Sequence, residues 1–451
     1  MSDFQKEYKR SDKGLLYVAP TGSGKTRQAL KATKGESTTV VGTASLTKNF
    51  DKEEKKAFKT VTPREGDTYS GVARGHALKG TKNLVLDESH YIRNPGTKAF
   101  KGLKGQRKKF DKVLAMTATP MINEPFDIAS QVNLVTGKNV VPANKKDFYK
   151  LFYKDVKVHP SMKQRLGGVT SGDIKVLRSP DWVKYHLDKH VYQEPAGKFK
   201  KLMPKRNEQV VRVPMSKSQM EVYNYIEGTL PRSLRAKIWS NLPPSKKESK
   251  KLNAYMQGMR QVSNTAAPFV KEGSYSNKLD KMVQDLQTEV DKKGKVLVYS
   301  NYLDAGVDKF KERLNKRKIP YAHLTGSMSK GERAKAVTKY NTPNKTNVFL
   351  MSGAGAEGLN LPGTSLVQLT EPHWNKARLY QAASRGIRRG DDPKRTVNVK
   401  TYLSTIPEKK SKLSFLGFKP KKPRTSADEY LLGMSKRKQL ETNSFMKALE
   451  D

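Results

Sequence analysis

Leu15-Leu-Tyr-Val-Ala19-Pro20-Thr21-Gly22-Ser23-Gly24-Lys25-Thr26-Arg27-Gln28-Ala29-Leu30 decides how the rest of the chain is read. An apolar run reads as a buried strand, a turn holds two glycines, and a helix opens at Thr26. Without a Cβ at Gly22 and Gly24, backbone N–H groups can approach phosphates closely, and the helix N-terminus adds its positive end. Lys25 is placed to meet β and γ phosphates, and the Thr26 hydroxyl to coordinate magnesium.

A second motif answers the first. Leu84-Val-Leu-Asp87-Glu88 sets two acids directly after an apolar strand, at the edge where parallel sheets bind ligands. Asp87 would hold magnesium through water, and Glu88 would polarise the attacking water. Taken alone, the pair reads equally as a solvated strand end. Far downstream, Gln381-Ala-Ala-Ser-Arg385-Gly-Ile-Arg388 places two arginines one helical turn apart, able to stabilise charge on a phosphoryl group in transfer. An ordinary basic helix face is the competing reading. Just upstream, the glycine-rich run Ser352 to Gly358 follows another strand and suits close backbone approach to phosphate. Together these stretches describe a split ATPase site using ATP and Mg2+.

Around the motifs, short β-branched runs alternate with charged amphipathic stretches. Leu15 to Ala19, Thr39 to Val41, Asn83 to Leu86 and Val113 to Met116 predict one parallel sheet. Lys295 to Ser300, Asn347 to Met351, Ser365 to Leu369 and Val397 to Tyr402 predict a second. The fold class is therefore α/β with two tandem parallel-sheet domains, at 1–150 and 276–404. Residues 151–275 read as a mostly helical insertion and linker, with about 205–230 returning to the first domain. A basic C-terminal extension, 405–451, carries seven Lys or Arg between Thr405 and Ser426, with Phe415, Phe418 and three prolines. Beyond it Tyr430, Leu431, Met434, Leu440, Phe445, Met446 and Leu449 form an apolar stripe, expected to dock a helix onto the second sheet.

Composition narrows the target. Lys and Arg number 88 against 43 Asp and Glu, a formal charge of +45 on 451 residues. Such an excess favours a polyanion bound through counterion release, and nucleic acid is the leading partner. No cysteine is present, so disulfides, thiolate metal sites and cysteine nucleophiles are excluded. The polar start and the lack of a long apolar run predict a soluble protein with no membrane partner.

These residues resemble the Swi/Snf-type branch of the superfamily 2 helicases and translocases, almost end to end. Val40 to Phe50 is similar to the family's second motif, Leu86 to Gly96 to its extended acidic box, and Thr117-Ala-Thr-Pro120 to motif III. Val211 to Tyr225 resembles the chain's return to the first lobe. Lys295 to Asn301 resembles motif IV, His323 to Ser327 the segment after it, and Gly355 to Leu361 motif V. Glu371-Pro-His-Trp-Asn375 and Asp428-Glu-Tyr430 are similar to the large-DNA-virus ATPases typified by poxvirus nucleoside triphosphatase I and the early transcription factor small subunit. Cellular and phage translocases share a related Asp-Pro-x-Trp-Asn pattern. Departures are Ser384 for the usual glycine before the first motif VI arginine, and Ala354 and Ala356 in motif V.

The resemblance implies two RecA-like lobes, with Gln5, Thr21, Gly22, Ser23, Gly24, Lys25, Thr26, Gly358 and Gln381 holding nucleotide. Lys25, Asp87, Glu88, Arg385 and Arg388 are then catalytic, and Thr26 and Asp87 serve the metal. It also implies phosphate-backbone contacts by Thr43, Ser45, Thr117, Asn301, Thr325 and Ser352, although each hydroxyl reads equally as a structural cap. His90 would couple hydrolysis to motif III, or be a plain hydrogen-bonded loop histidine. Trp374 would fill the core of the second lobe beside motif VI or stack near a nucleotide, and core packing is the preferred reading. The expected activity is ATP-driven translocation on double-stranded DNA in transcription, repair or genome handling, with an RNA polymerase or other recruiting protein as a partner. Alternatives are a strand-separating DNA or RNA helicase and a catalytically decayed nucleic-acid-binding scaffold.

Overall fold

The computed structural model describes residues 2–43, 50, 53, 55, 65–158, 172–195, 197–198, 200–244, 246–270, 275–353, 359–387, 391–408 and 424–450. The chain forms two compact units, Met1–Lys201 with Lys438–Asp451, and Leu202–Arg437.

In the first unit the strands are β1 (Gly14–Val18), β2 (Thr38–Gly42), β3 (Glu65–Thr68), β4 (Thr81–Asp87), β5 (Phe110–Thr117), the hairpin strands β6 (Tyr153–Val158) and β7 (Gly172–Leu177), and β8 (Val191–Gln193). Six of them form a sheet in the order β3-β2-β4-β5-β1-β8, every pair parallel. Side chains alternate strictly across it. Leu16, Val18, Leu84, Leu86, Val113 and Ala115 enter one core, while Leu15, Tyr17, Val40, Val85, Leu114 and Met116 enter another on the opposite face. A period of two with both faces apolar is why these strands read as continuous apolar runs rather than alternating ones. Gly14 opens β1 at φ 114°, and a Cβ there would lie 1.9 Å from the Val113 carbonyl oxygen, so glycine alone permits this approach of β1 to β5.

The second unit repeats the plan with β9 (Lys205–Pro214), β10 (Lys295–Ser300), β11 (Ala322–Leu324), β12 (Val348–Ser352), β13 (Thr364–Leu369) and β14 (Thr396–Thr405). Their order is β11-β12-β10-β13-β14-β9, again all parallel. Leu297, Tyr299, Phe349, Met351, Val367 and Leu369 fill one side, and Val296, Val298, Val348, Leu350 and Leu366 the other. Each fully buried Leu, Val or Phe contributes about 1.5–3 kcal/mol, so two double-sided cores make each sheet the stable part of its unit.

Three expectations change. Residues 205–230 do not return to the first sheet: β9 pairs with β14 in register from Lys205 opposite Thr396 to Pro214 opposite Thr405. The helix after it, Lys217–Gly228, packs Tyr223 into a helical cluster of the same unit. An edge strand needs only one apolar side, and β9 keeps most positions exposed, which made it read as linker. The region 151–275 is likewise not one insertion, since its first part holds the antiparallel pair β6–β7 and the edge strand β8 of the first unit. Finally, the apolar stripe of helix Ala427–Glu450 does not serve the second unit alone. Ala427, Tyr430 and Leu431 pack with Tyr223, Leu234 and Met256 in the second unit, whereas Phe445 and Ala448 join Phe148 and Phe152 in the first. Among the described residues no helix is long and apolar enough to cross a membrane.

Candidate active site

β1 delivers the chain to Ala19 at the carboxyl edge of the first sheet, and helix Lys25–Ala32 starts after the turn. Gly22 and Gly24 both take left-handed conformations, φ 82° and 91°, as only glycine does without strain. Gly24 is the helix N-cap and supplies no side-chain cap to the first N–H groups of the helix. Lys25 is buried, its Nζ donating to the carbonyls of Ala19 at 3.2 Å and Pro20 at 3.4 Å. Thr21 Oγ1 and Ser23 Oγ are buried hydroxyls with no hydrogen-bond partner among the described residues. Two orphaned polar atoms beside uncapped helix donors fit a site made for phosphate.

Asp87 closes β4, buried, and Glu88 follows at φ 53°, ψ 51°, a left-handed conformation uncommon for a residue with a side chain. Burial first, then the adjacent Glu88 charge, push the Asp87 carboxyl up to about 7, against the pull of Lys25 and the Glu88 amide. A buried carboxylate beside a partly exposed one, with the Thr26 hydroxyl at the helix start, is chemically suited to a divalent cation. No cluster of three His, Asp or Glu able to hold a metal occurs among the described residues.

Side chains that the sequence reading did not single out hold this turn. The Tyr69 hydroxyl donates to the Asp87 carbonyl at 2.9 Å, and its ring stacks on Tyr91 at 5.4 Å, which stacks on His90 at 4.9 Å. His90 Nδ1 lies 3.1 Å from Thr117 Oγ1 and 3.3 Å from Glu88 Oε2. Ser89 Oγ donates to Gln131 Oε1 at 2.8 Å, and Gln131 Nε2 donates to the Pro120 carbonyl at 2.6 Å. The acidic box and Thr117-Ala-Thr-Pro120 are thus tied at two points. The family resemblance had pointed to the His90 contact with motif III; nothing local marks Tyr69 or Gln131.

Gln5 serves as third residue of a capping box on helix Asp3–Arg10, its Oε1 accepting from the Ser2 amide at 2.8 Å. Ser2 Oγ in turn donates to Gln28 Oε1 of the phosphate-loop helix at 3.3 Å, placing Gln5 on an element attached to that helix.

In the second unit, Gln381 lies in helix Lys376–Ala383. That helix ends before Arg385, which sits in the following turn with its carbonyl accepting from the Leu361 amide at 3.0 Å. The expectation that Arg385 shares a helical face with Arg388 therefore fails on the Arg385 side. Arg388 and Gly358 lie outside the described residues, as does Ser45.

The remaining nucleic-acid candidates all fall at carboxyl ends of parallel strands, where such sheets bind ligands. Thr43 follows β2, half-buried, and Ser352 ends β12, buried. Thr117 is fully buried at the end of β5, engaged with His90 and accepting from the Thr119 amide. Thr325, after β11, is buried with its hydroxyl 3.2 Å from Ser327 Oγ. Asn301, after β10, is held by the buried Glu371 carboxylate, which accepts from its backbone amide and from its Nδ2 at 2.9 Å. Glu371 also accepts from Ser300 Oγ and Asn264 Nδ2. Trp374 packs against the helical cluster, its Nε1 donating to Asn253 Oδ1 at 3.0 Å, as the core-packing reading expects.

A strand, phosphate loop and helix, with paired acids at the end of a nearby parallel strand, define a P-loop nucleoside triphosphatase. The particular branch follows from comparison with known proteins. Residues 57–267 match the SNF2-related domain, and residues 277–390 match the helicase conserved C-terminal domain. The chain belongs to the Swi/Snf-type superfamily 2 ATPases, with two RecA-like parallel-sheet units. It is 25% identical over 452 residues to the "Putative ATP-dependent RNA helicase L538" of Acanthamoeba polyphaga mimivirus, covering 96% of this chain and 92% of that one. It is 26% identical to the DNA repair and recombination protein RAD54-like of Drosophila mojavensis, over 68% of this chain and 41% of that one. Against the RAD54-like protein of Danio rerio identity is 26%, over 72% of this chain and 46% of that one. The chain thus spans less than half the length of these RAD54-like relatives. Among solved structures, it is similar to the Sulfolobus solfataricus SWI2/SNF2 ATPase core in complex with dsDNA, at 18% identity and a TM-score of 0.37, covering 99% of this chain and 94% of that one.

Proposed function

We propose that this ATPase is a translocase on double-stranded DNA. The observation that carries the reading is the direct tie from Glu88 through His90 to Thr117, which links the water-polarising acid to a strand end of the motif III type. The charge of +45 supplies the attraction to a polyanionic track, and the RAD54-like relatives, named for DNA repair and recombination, support DNA, whereas the mimivirus relative is named for RNA.

In this reading, Lys25 exchanges the carbonyls of Ala19 and Pro20 for the β and γ phosphates. The uncapped N–H groups after Gly24, with Thr21 and Ser23, cradle the same phosphates. Thr26 and Asp87 would hold magnesium, which neutralises phosphate charge and activates the phosphoryl group towards water. Glu88, fixed by its left-handed backbone and by His90, orients that water. The family resemblance gives Gln381, Arg385 and Arg388 the part of stabilising the charge of the transferring group. Thr43, Ser45, Asn301, Thr325 and Ser352 then take phosphate-backbone contacts that alternate as the nucleotide state changes.

Phosphate release measured with duplex DNA, single-stranded DNA and RNA at matched moderate salt tests the proposal. Duplex DNA should stimulate most, and Lys25→Ala should abolish turnover while leaving salt-sensitive binding. Displacement of a triplex-forming strand without separation of a duplex would distinguish translocation from unwinding. Turnover insensitive to every nucleic acid would refute the motor.

A further inference from the structure

A helix in the first unit displays rings that the ATPase chemistry does not use. Pro180–Leu187 is capped by Ser179 and begins with proline, so its start is fixed. Tyr185 is 78% exposed and Trp182 40% exposed. Their rings lie 5.9 Å apart with planes 16° from parallel, while His186 stands edge-on to both at 4.9 and 5.1 Å. His186 in turn stands edge-on to Phe152, a ring of the buried core. Trp182 Nε1 donates to the Leu151 carbonyl at 2.8 Å, which fixes the indole. The outcome is a rigid ladder of rings from the core to a tyrosine in solvent.

Its surroundings are cationic. Arg178 Nη2 donates to the Lys150 carbonyl, the residue before Leu151, so this guanidinium lies beside the indole anchor. Lys150 and Lys189 are exposed and Lys184 partly so, against Asp181 and Asp188 on the same stretch. A fixed aromatic face within a positive rim matches a ligand that alternates flat rings with phosphates.

We propose that the Trp182–Tyr185 pair is a stacking site for an unpaired nucleobase, whose flanking phosphates are taken by Lys150, Arg178, Lys184 and Lys189. A paired base has its faces covered within the duplex, so the ligand is a single-stranded stretch or a base displaced beside the motor. The proposal rests on the reading that this chain works on nucleic acid, and it adds a second, single-strand subsite.

Fluorescence anisotropy of the full chain tests it with two probes of equal charge, an oligothymidylate of about 12 nucleotides and an abasic strand of the same length. The oligothymidylate should bind roughly tenfold tighter, as expected for stacking of one or two bases. Tyr185→Ala, at an exposed position that does not threaten folding, should reduce the preference several-fold, and Tyr185→Phe should keep it. Equal binding of both probes by the native chain, or an unchanged preference in Tyr185→Ala, overturns the site. Duplex-stimulated phosphate release measured on the same preparations separates the two readings. Intact stimulation with equal probe binding removes the stacking site alone, and its absence with every nucleic acid removes the motor as well.

Discussion

His90 Nδ1 stands 3.1 Å from Thr117 Oγ1 and 3.3 Å from Glu88 Oε2, so one imidazole joins the acidic box to the end of the neighbouring strand. If this bridge positions Glu88, Thr117→Val should lower kcat about tenfold while leaving the KM for ATP within about twofold, because the loss falls on orientation rather than nucleotide binding. Thr117→Ser should restore most of the rate. Steady-state phosphate release with saturating duplex DNA checks this, and an equal fall with Thr117→Ser would argue for packing instead.

Tyr69 bears on the same turn from the other side. Tyr69→Phe keeps the stack on Tyr91 and removes only the hydrogen bond to the Asp87 carbonyl. The expected cost is about 1 kcal/mol of stability and a several-fold lower kcat. Denaturant unfolding beside steady-state kinetics reads both, and an unchanged kcat would show that the turn holds its shape without this bond.

Asp87 makes the unliganded site a liability at neutral and alkaline pH. Its folded-state pKa, about 7, lies above the ordinary aspartate value, so at intermediate pH the folded chain binds more protons than the unfolded one. Stability from this group is complete below about pH 4 and is lost as pH rises through 7. In the presence of a chelator, Asp87→Asn should therefore raise Tm at pH 8, by a stabilisation on the order of 2 kcal/mol, with little change at pH 4.5. The same substitution should abolish turnover. A Tm difference independent of pH would contradict the assignment.

Away from the site, Lys278 and Asp428 form a buried ion pair at 2.8 Å, and Asp428 Oδ2 also accepts from the Ser404 amide at 2.9 Å. This fastens the start of helix Ala427–Glu450 to helix Asn277–Asp291 and β14 within the second unit. Lys278→Ala should cost about 3–5 kcal/mol by leaving a buried carboxylate uncompensated, whereas Lys278→Met with Asp428→Leu should recover much of it. Thermal unfolding of the three chains decides the matter. A mild single-variant effect would mean that water reaches the pair.

The eight strands named from sequence all form, because a strand buried on both faces announces itself as a continuous β-branched run. Missed were the short strands β3, β8 and β11, then β9, whose edge position tolerates Lys205, Arg206 and Glu208, and β6 and β7, whose hairpin reads as charged linker. The phosphate loop and acidic box were legible because their chemistry requires neighbours in sequence. Tyr69 and Gln131 were not, since they reach Asp87 and Ser89 from 18 and 42 residues away.

The sequence by itself determined the class of chemistry: two glycines before Lys25-Thr26 and two acids after an apolar strand leave little else for that sheet edge to bind. Only the tertiary structure decided that Asp87 is pushed up to about 7, that Thr117 is turned inward onto His90, and that β9 extends the second sheet rather than the first. Burial, hydrogen-bond partners and strand pairing are properties of residues brought together from distant parts of the chain. No local spacing encodes them.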